Sequence, residues 1–261
     1  TTDIKDVLDD KDIDLVIITT RHNTHAELVL KALKAGKHVF VEKPLATSQD
    51  DLDKLKAFYD DITDSKPVLM VGFNRRFSKF AHEIKKHTSK RVNPLFIRYR
   101  MNAGFIPADH WVHDNGGRIV GEGCHIIDLM TYFTESQIKS VSFESLSPKT
   151  EKFLCSDNKS IILKYQDGSV CVIDYFSTGN KGFTKEYMEV HFDEKTIVLD
   201  DYKVINGFGI KLDPLKSNSS QKGQYEELVR FHKTLIGETR EWPIELWDMI
   251  QTTEISLAAS V

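Results

Sequence analysis

Side chains able to donate, accept or move protons gather at three places in the sequence. The first is Thr19, Thr20, Arg21, His22, Asn23, Thr24 and His25, directly after the apolar run Leu15, Val16, Ile17, Ile18. The second is Glu42, Lys43 and Pro44, at the end of the next apolar stretch, His38 to Glu42. An uninterrupted apolar run marks a parallel strand covered on both faces. Both clusters therefore stand at the carboxyl ends of parallel strands, the edge at which open α/β sheets bind ligands. A purely structural reading competes: Asn23 and Thr24 cap a helix, and Glu42 and Lys43 form a solvated turn. The third place is Gly121 to Leu129, where His125 stands on an otherwise apolar helix with Glu122 three residues before it and Asp128 three after. Residues at that spacing can share a helical face. A histidine titrates near pH ~6.5 and can move a proton at neutrality, although on an apolar helix it can equally be a satisfied core residue.

The elements that must position these groups are legible from periodicity. Residues 1 to 75 alternate buried strands with amphipathic helices. Thr24 and Glu27 have the spacing of a capping box, Ala26, Val29, Leu30 and Leu33 form one stripe, and Gly36 supplies the stop. A second helix begins near Thr47 or Ser48 and buries Leu52, Leu55, Tyr59 and Ile62, after which Val68 to Phe73 returns as a strand: two successive βαβ units. From Ser78 the pattern changes. Between Leu95 and Asn102, Leu95, Ile97, Tyr99 and Met101 alternate with Phe96, Arg98 and Arg100, as in a sheet with one exposed face. A helix around Cys124 to Phe133 precedes strands expected at Val141 to Ser145, Ile161 to Tyr165, Val170 to Tyr175, Met188 to Phe192, Thr196 to Leu199 and Lys203 to Asn206. Asp167-Gly168 signals a hairpin between two of them. Ser217 to Gly223 reads as a polar loop. Two helices close the chain, the last with Pro243 in its first turn. The expected organisation is a partial α/β unit over residues 1–74 and an α+β unit over residues 75–261, with helices on one side of an open-faced sheet.

Bulk properties narrow the function classes. With 261 residues, 40% of them apolar, and a formal charge of -4, the chain can bury two cores and carries no basic surface for nucleic acid or acidic membranes. No stretch approaches the roughly 18 apolar residues of a spanning helix. Cys124, Cys155 and Cys171 are odd in number and widely spaced, which argues against a disulfide framework and fits a reducing cytoplasm. His110 and His113 have a His-x-x-His spacing, but no adjacent Cys or acidic pair completes a tetrahedral metal set.

The run HNTHAELVLKALKAGKHVFVEKPLA closely resembles the corresponding segment of the Gfo/Idh/MocA oxidoreductases, with VGFNRRF at Val71 to Phe77 and GGRIVGEGCHIIDL at Gly116 to Leu129 agreeing in order. The stretch YRMNAGFIPADHWVHD resembles members associated with polysaccharide and sugar-nucleotide metabolism. The resemblance implies a Rossmann-like parallel sheet followed by a large, mainly antiparallel sheet whose open face forms a homodimer or homotetramer. It implies NAD or NADP as cofactor and a ring hydroxyl of a sugar, cyclitol or nucleotide sugar as the reacting group. On that basis Thr19, Thr20, His22, Asn23, His25, Glu42, Lys43 and Pro44 are expected on the cofactor side. Lys43 is expected to hydrogen-bond the reacting oxygen, and His125 to take its proton. Many members carry an aspartate four residues before that histidine. Gly121 stands there, so Glu122 is the expected substitute, with a first-turn carboxylate stabilised by the helix dipole as its structural alternative. Asn74 and Arg75, at the junction after the last parallel strand, His110 and Trp111, on a loop able to stack on a sugar ring beside Asp109, and Asp128 are expected to meet the substrate.

A dinucleotide domain of this kind opens with a strand, a Gly-x-Gly-x-x-Gly turn and a helix whose amino end holds the pyrophosphate. The first glycine here is Gly36, and Thr2 to Leu8 reads as a crossover helix before a middle strand. The sequence therefore reads as lacking the amino-terminal part of that domain, and NAD cannot be told from NADP. A cofactor-sensing regulator without turnover and a bare assembly module are the alternative functions.

Overall fold

The computed structural model describes residues 1–61 and 66–260. Ile62, expected on the second helix's apolar face, lies outside the described residues. A short helix, α1 (Ile4–Leu8), is capped by Asp3, whose carboxylate accepts from the Lys5 N–H. Then β1 (Leu15–Ile18), α2 (His25–Lys34), β2 (His38–Val41), α3 (Gln49–Asp61) and β3 (Leu69–Val71) alternate. The three strands form one parallel sheet in the order β1-β2-β3. Ser48 begins α3 by accepting from the Asp51 N–H at 3.2 Å, the hydroxyl cap that favours helix starts. The capping box expected at α2 does not form. A 3₁₀ turn at His22–Thr24 precedes the helix, the Thr24 hydroxyl donates back to the Arg21 carbonyl, and Glu27 pairs with Lys31 instead.

After a 3₁₀ turn at Asn74–Phe77 come α4 (Lys79–Thr88), β4 (Phe96–Asn102), α5 (Cys124–Thr134) and β5 (Ile138–Ser145). Strands β6 (Lys159–Tyr165), β7 (Val170–Phe176), β8 (Glu186–Phe192), β9 (Lys195–Asp200) and β10 (Val204–Phe208) complete a seven-stranded sheet ordered β10-β9-β8-β4-β7-β6-β5. Its pairs are antiparallel except β4 with β7. Alternation along β4 comes out as the sequence predicts: Ile97, Tyr99 and Met101 are buried and Phe96 is half exposed. The inner face packs on α5 and α4 through residues such as Ile126, Ile127, Phe133, Phe80 and Ile84. The hairpin between β6 and β7 turns at Gly168, whose φ of 94° is a conformation that favours glycine. The closing helices are α6 (Gln224–Leu235) and α7 (Leu246–Ala258). Pro243 lies before α7 rather than in its first turn, because Glu245 is the cap residue.

A division at residue 75 separates the two sheets but not the two apolar cores. Phe231 of α6 and Met249 and Ile250 of α7 pack in the same cluster as Val39 and Val71 of the first sheet and Leu55 of α3. The last helices thus return to the parallel sheet. No helix among the described residues is long and apolar enough to cross a membrane.

Polar links inside this packing fix α5. Arg76 donates to Asp128 of α5 through Nε at 2.9 Å and to Asp248 of α7 through Nη2 at 2.8 Å, all three side chains being buried. Burial pushes the Asp128 carboxyl up to about 7, Arg76 opposes the rise, and Asp248 adds to it. On α6, Glu227 is 4% exposed, and its Oε2 has no hydrogen-bond partner among the described residues. Burial, then Glu42 and Asp128, raise it from the ordinary 4.5 to about 8.

Two stability predictions follow from these groups. Removing the cation with Arg76→Met leaves two buried carboxylates unpaired and should cost about 3–5 kcal/mol in urea unfolding. A loss under about 1 kcal/mol would mean that they find other partners. Glu227 binds its proton more tightly in the folded chain than in the unfolded one, so its stabilising contribution is present below about pH 4.5 and lost as pH rises toward 8. Glu227→Gln should therefore raise the thermal midpoint relative to wild type at pH 8.5 more than at pH 5.5; equal differences at both values would show that the carboxyl is not protonated.

Candidate active site

The two polar clusters at the ends of β1 and β2 are tied together by His25. Its ring is fully buried, with Nδ1 2.7 Å from the Pro44 carbonyl oxygen and Nε2 3.0 Å from that of Thr20. His25, expected on the cofactor side, is thus a strut between the two loops, with both ring nitrogens engaged by backbone carbonyls. Thr20 and Thr24 join through their hydroxyls at 2.6 Å, while Thr19 remains exposed. Glu42 stands over Gly72, where an added Cβ would come within 3.4 Å of its carboxyl carbon. Asn23 faces elsewhere, onto a concavity of about 280 Å³ shared with Glu27, Asp51 and Lys54.

Lys43 leaves this edge and reaches the histidine segment. Its Nζ donates to the Gly121 carbonyl at 2.7 Å. Gly121 lies in a π-helical turn, Ile119–Gly123, that runs straight into α5. His125 follows in the first turn of α5, 7% exposed and edge-on to Phe73 at 6.2 Å. Among the described residues its Nδ1 is buried without a hydrogen-bond partner, whereas Nε2 is not so buried. Burial, then the positive charges of Arg75, Lys43, Lys222 and Lys185, hold the ring well below the ordinary histidine range. These surroundings favour the neutral form of the imidazole.

Glu122, expected to assist His125, has its hydrogen bonds elsewhere among the described residues. Its carboxylate accepts from the Tyr175 hydroxyl at 2.6 Å, Lys185 Nζ at 2.8 Å and Arg118 Nη2 at 3.2 Å. Burial would raise its pKa, but Lys185, Tyr175 and Arg118 bring it down to about 2. Glu122 lies in the π-helical turn Ile119–Gly123, where a spacing of three does not carry the shared face it has in an α-helix. Asp128 is likewise not open to a ligand, since it is fully buried against Arg76.

Asn74 and Arg75 sit at the junction as expected, but both are engaged within the protein. Asn74 Nδ2 donates to the Lys222 carbonyl at 3.0 Å, and Arg75 grips Glu186 through Nε and Nη2 at 2.8 and 3.1 Å. Glu186 also accepts from Lys222 and from the Tyr99 hydroxyl, and these cations hold its carboxyl far below the usual range against the effect of burial. Trp111 is 44% exposed and lies across from the first sheet's loop, with its ring 5.6 Å from that of His22 and under the Arg21 guanidinium. His110 packs beside it at 5.6 Å, whereas His113 turns inward toward Asp157 at 3.6 Å, so the two histidines diverge. Sequence reasoning missed Lys185, Glu186 and Lys222, which reach the site from a strand start and a polar loop with no local signal. Concavities of about 520 Å³ on the open sheet face and about 450 Å³ between α3 and α7 contain neither Lys43 nor His125.

Comparison with known proteins agrees with this fold. A family model described as "Oxidoreductase family, NAD-binding Rossmann fold" matches residues 1–73, and the "GFO/IDH/MocA C-terminal domain" model matches residues 92–198. The myo-inositol 2-dehydrogenase of Thermotoga maritima is 26% identical over 66% of this chain and 52% of its own length. The scyllo-inositol 2-dehydrogenase (NAD(+)) of Bacillus subtilis is 33% identical over 52% of this chain and 40% of its own. The chain spans about half the length of the curated relatives it matches. The crystal structure of myo-inositol dehydrogenase from Lactobacillus casei in complex with NAD(H) and myo-inositol superimposes with a TM-score of 0.75 at 24% identity, covering 99% of this chain and 77% of that one. A parallel sheet whose loop lysine meets a histidine helix, and two matched models of one family in the right order, establish that the chain belongs to the Gfo/Idh/MocA oxidoreductase family.

Proposed function

We propose that the chain serves hydride transfer between NAD or NADP and a ring hydroxyl or ketone of a sugar, cyclitol or nucleotide sugar, with residues 1–74 on the cofactor side and 75–261 on the substrate side. The convergence of Lys43 and His125 carries this reading: one lysine from the parallel sheet and one neutral histidine from the second unit meet across Gly121. Their partners in neighbouring elements account for why each is held there.

The residues present fit the nicotinamide end of such a cofactor. Thr19 and Thr20 are exposed at the end of β1, and Glu42 and Lys43 stand at the end of β2. These 261 residues hold no Gly-x-Gly-x-x-Gly turn to cradle a pyrophosphate. When bound, the nicotinamide would accept or return the hydride. His125 takes the hydroxyl proton at Nε2 in the tautomer that carries its own proton on Nδ1, and its lowered pKa keeps the ring neutral. Lys43 supplies a positive charge and a donor where negative charge develops on the substrate oxygen. Trp111 gives a ring on which an apolar sugar face can rest, with His110 beside it. Half-exposed Phe96 and exposed Phe208 on the seven-stranded sheet support self-association through that face, and three free cysteines support a reducing cytoplasm.

The test is cofactor reduction by a panel of inositols, hexoses and nucleotide sugars, with binding of NAD(H) and NADP(H) followed by reduced-cofactor fluorescence. Lys43→Ala and His125→Ala should each lower turnover by roughly 10²–10⁴ while the fold, followed by circular dichroism, persists. Wild-type rates in both variants would falsify the mechanism, and binding without turnover across the panel would indicate a cofactor-sensing protein. The pH profile of kcat/KM should show its acid limb below the ordinary histidine value of 6.5, because a depressed pKa keeps the base free to lower pH. Lys222→Met should shift that limb upward; an unmoved limb would assign it to another group.

A further inference from the structure

We propose that His22, on the loop after β1, touches the substrate: it accepts a hydrogen bond from the hydroxyl next to the reacting one, and so selects vicinal diols. This rests on the dehydrogenase reading above. His22 lies where a side chain at position 121 would go, since a Cβ built on Gly121 would come within 3.0 Å of its Cε1. Glycine at 121 therefore makes room for an imidazole from the other unit. The ring is held by neighbours on three sides: His25 edge-on at 5.8 Å, Trp111 at 5.6 Å, and the Gly121 backbone to which Lys43 donates.

These contacts use the faces and edges of the ring and leave its polar atoms free. Among the described residues, neither nitrogen of His22 has a protein hydrogen-bond partner, and the ring is only half-buried. Burial, then Lys43, then His25, bring its pKa down to about 4. At neutral pH the ring thus carries one donor and one acceptor nitrogen. Lys43 beside it can only donate. The pair is complementary: the ammonium donates to the reacting oxygen, and the imidazole accepts from the hydroxyl on the adjacent carbon. A substrate lacking that hydroxyl would leave the His22 acceptor unpaired, which is how a polar site discriminates between otherwise similar ligands.

The experiment pairs the panel member turned over fastest with its analogue deoxygenated at the carbon next to the reacting one. In His22→Phe, kcat/KM for the hydroxylated substrate should fall about tenfold, the equivalent of one hydrogen bond. For the deoxy analogue it should change less than about twofold. His22→Gln, which keeps an acceptor, should retain most of the discrimination. His22→Leu repeats the measurement if the phenylalanine does not fold against Gly121. An equal fall for both substrates, or a matching rise in the cofactor Kd, would make His22 a packing or cofactor group and overturn the proposal. Undiminished discrimination in both apolar variants would do the same. Absence of turnover in wild type across the whole panel would remove the dehydrogenase reading and this contact with it, whereas turnover with unaltered preference would remove the contact alone.

Discussion

Two adjacent arginines hold the two sheets in register, and the site exists only where they hold it. Arg75 and Arg76 occupy one 3₁₀ turn directly after the parallel sheet yet bind opposite ways: Arg75 to Glu186 at the start of β8, Arg76 to Asp128 on α5 and Asp248 on α7. All five side chains are buried. Taking such charges out of water costs several kcal/mol per ion, which their mutual attraction offsets only when geometry and hydrogen bonds are well satisfied. The cluster therefore tolerates little displacement, and it specifies where α5 lies relative to β3 more sharply than apolar packing alone would.

The same scarcity of water sets the protonation states around the site. His125 lies among Arg75, Lys43, Lys222 and Lys185, whose charges add to the effect of burial and keep the ring neutral. The carboxylates in this region are spent on those cations, Glu186 on Arg75 and Lys222, and Glu122 on Lys185 and Arg118. Proton-accepting capacity is thus concentrated in the imidazoles. Glu227 is the opposite case: with Glu42 and Asp128 nearby and no cation among the causes of its shift, burial leaves it protonated at neutrality.

What the sequence made legible divides along the range of the interactions. The strands and most helices came from periodicity, because burial on one or two faces writes itself into neighbouring residues: Ile97, Tyr99 and Met101 inward, Phe96 outward. Lys43 and His125 were legible as chemistry at strand ends and on an apolar helix, and a resemblance gave them roles. The partners of Glu122 were not legible, because no local pattern announces the π turn it stands in or the distant Tyr175 and Lys185 it binds. Thr24 and Glu27 had the right spacing for a capping box, but the 3₁₀ turn before α2 and the nearby Lys31 gave their side chains other partners. Glu186, Lys185 and Lys222 were invisible for the plainest reason. Their partners lie at Arg75 and Glu122, 111, 63 and, through Glu186, 36 residues away in the chain, and single-sequence spacing carries no information at that range.

The return of α6 and α7 to the first sheet makes the site a product of both ends of the described chain. Gly223, just before α6, sits so close to the turn carrying Asn74 and Phe77 that an added Cβ would fall 2.6 Å from the Asn74 carbonyl oxygen and 2.5 Å from the Ser78 nitrogen. That close approach brings Lys222 onto Glu186 and lets its carbonyl accept from Asn74. The Lys222 charge in the environment of His125 thus depends on how the segment before α6 packs. Phe231, Met249 and Ile250 are buried in the core that holds β2 and β3, so loosening α6 or α7 would disturb the lysine edge and the histidine edge together. Apolar closure and the electrostatics around His125 are, in this molecule, coupled.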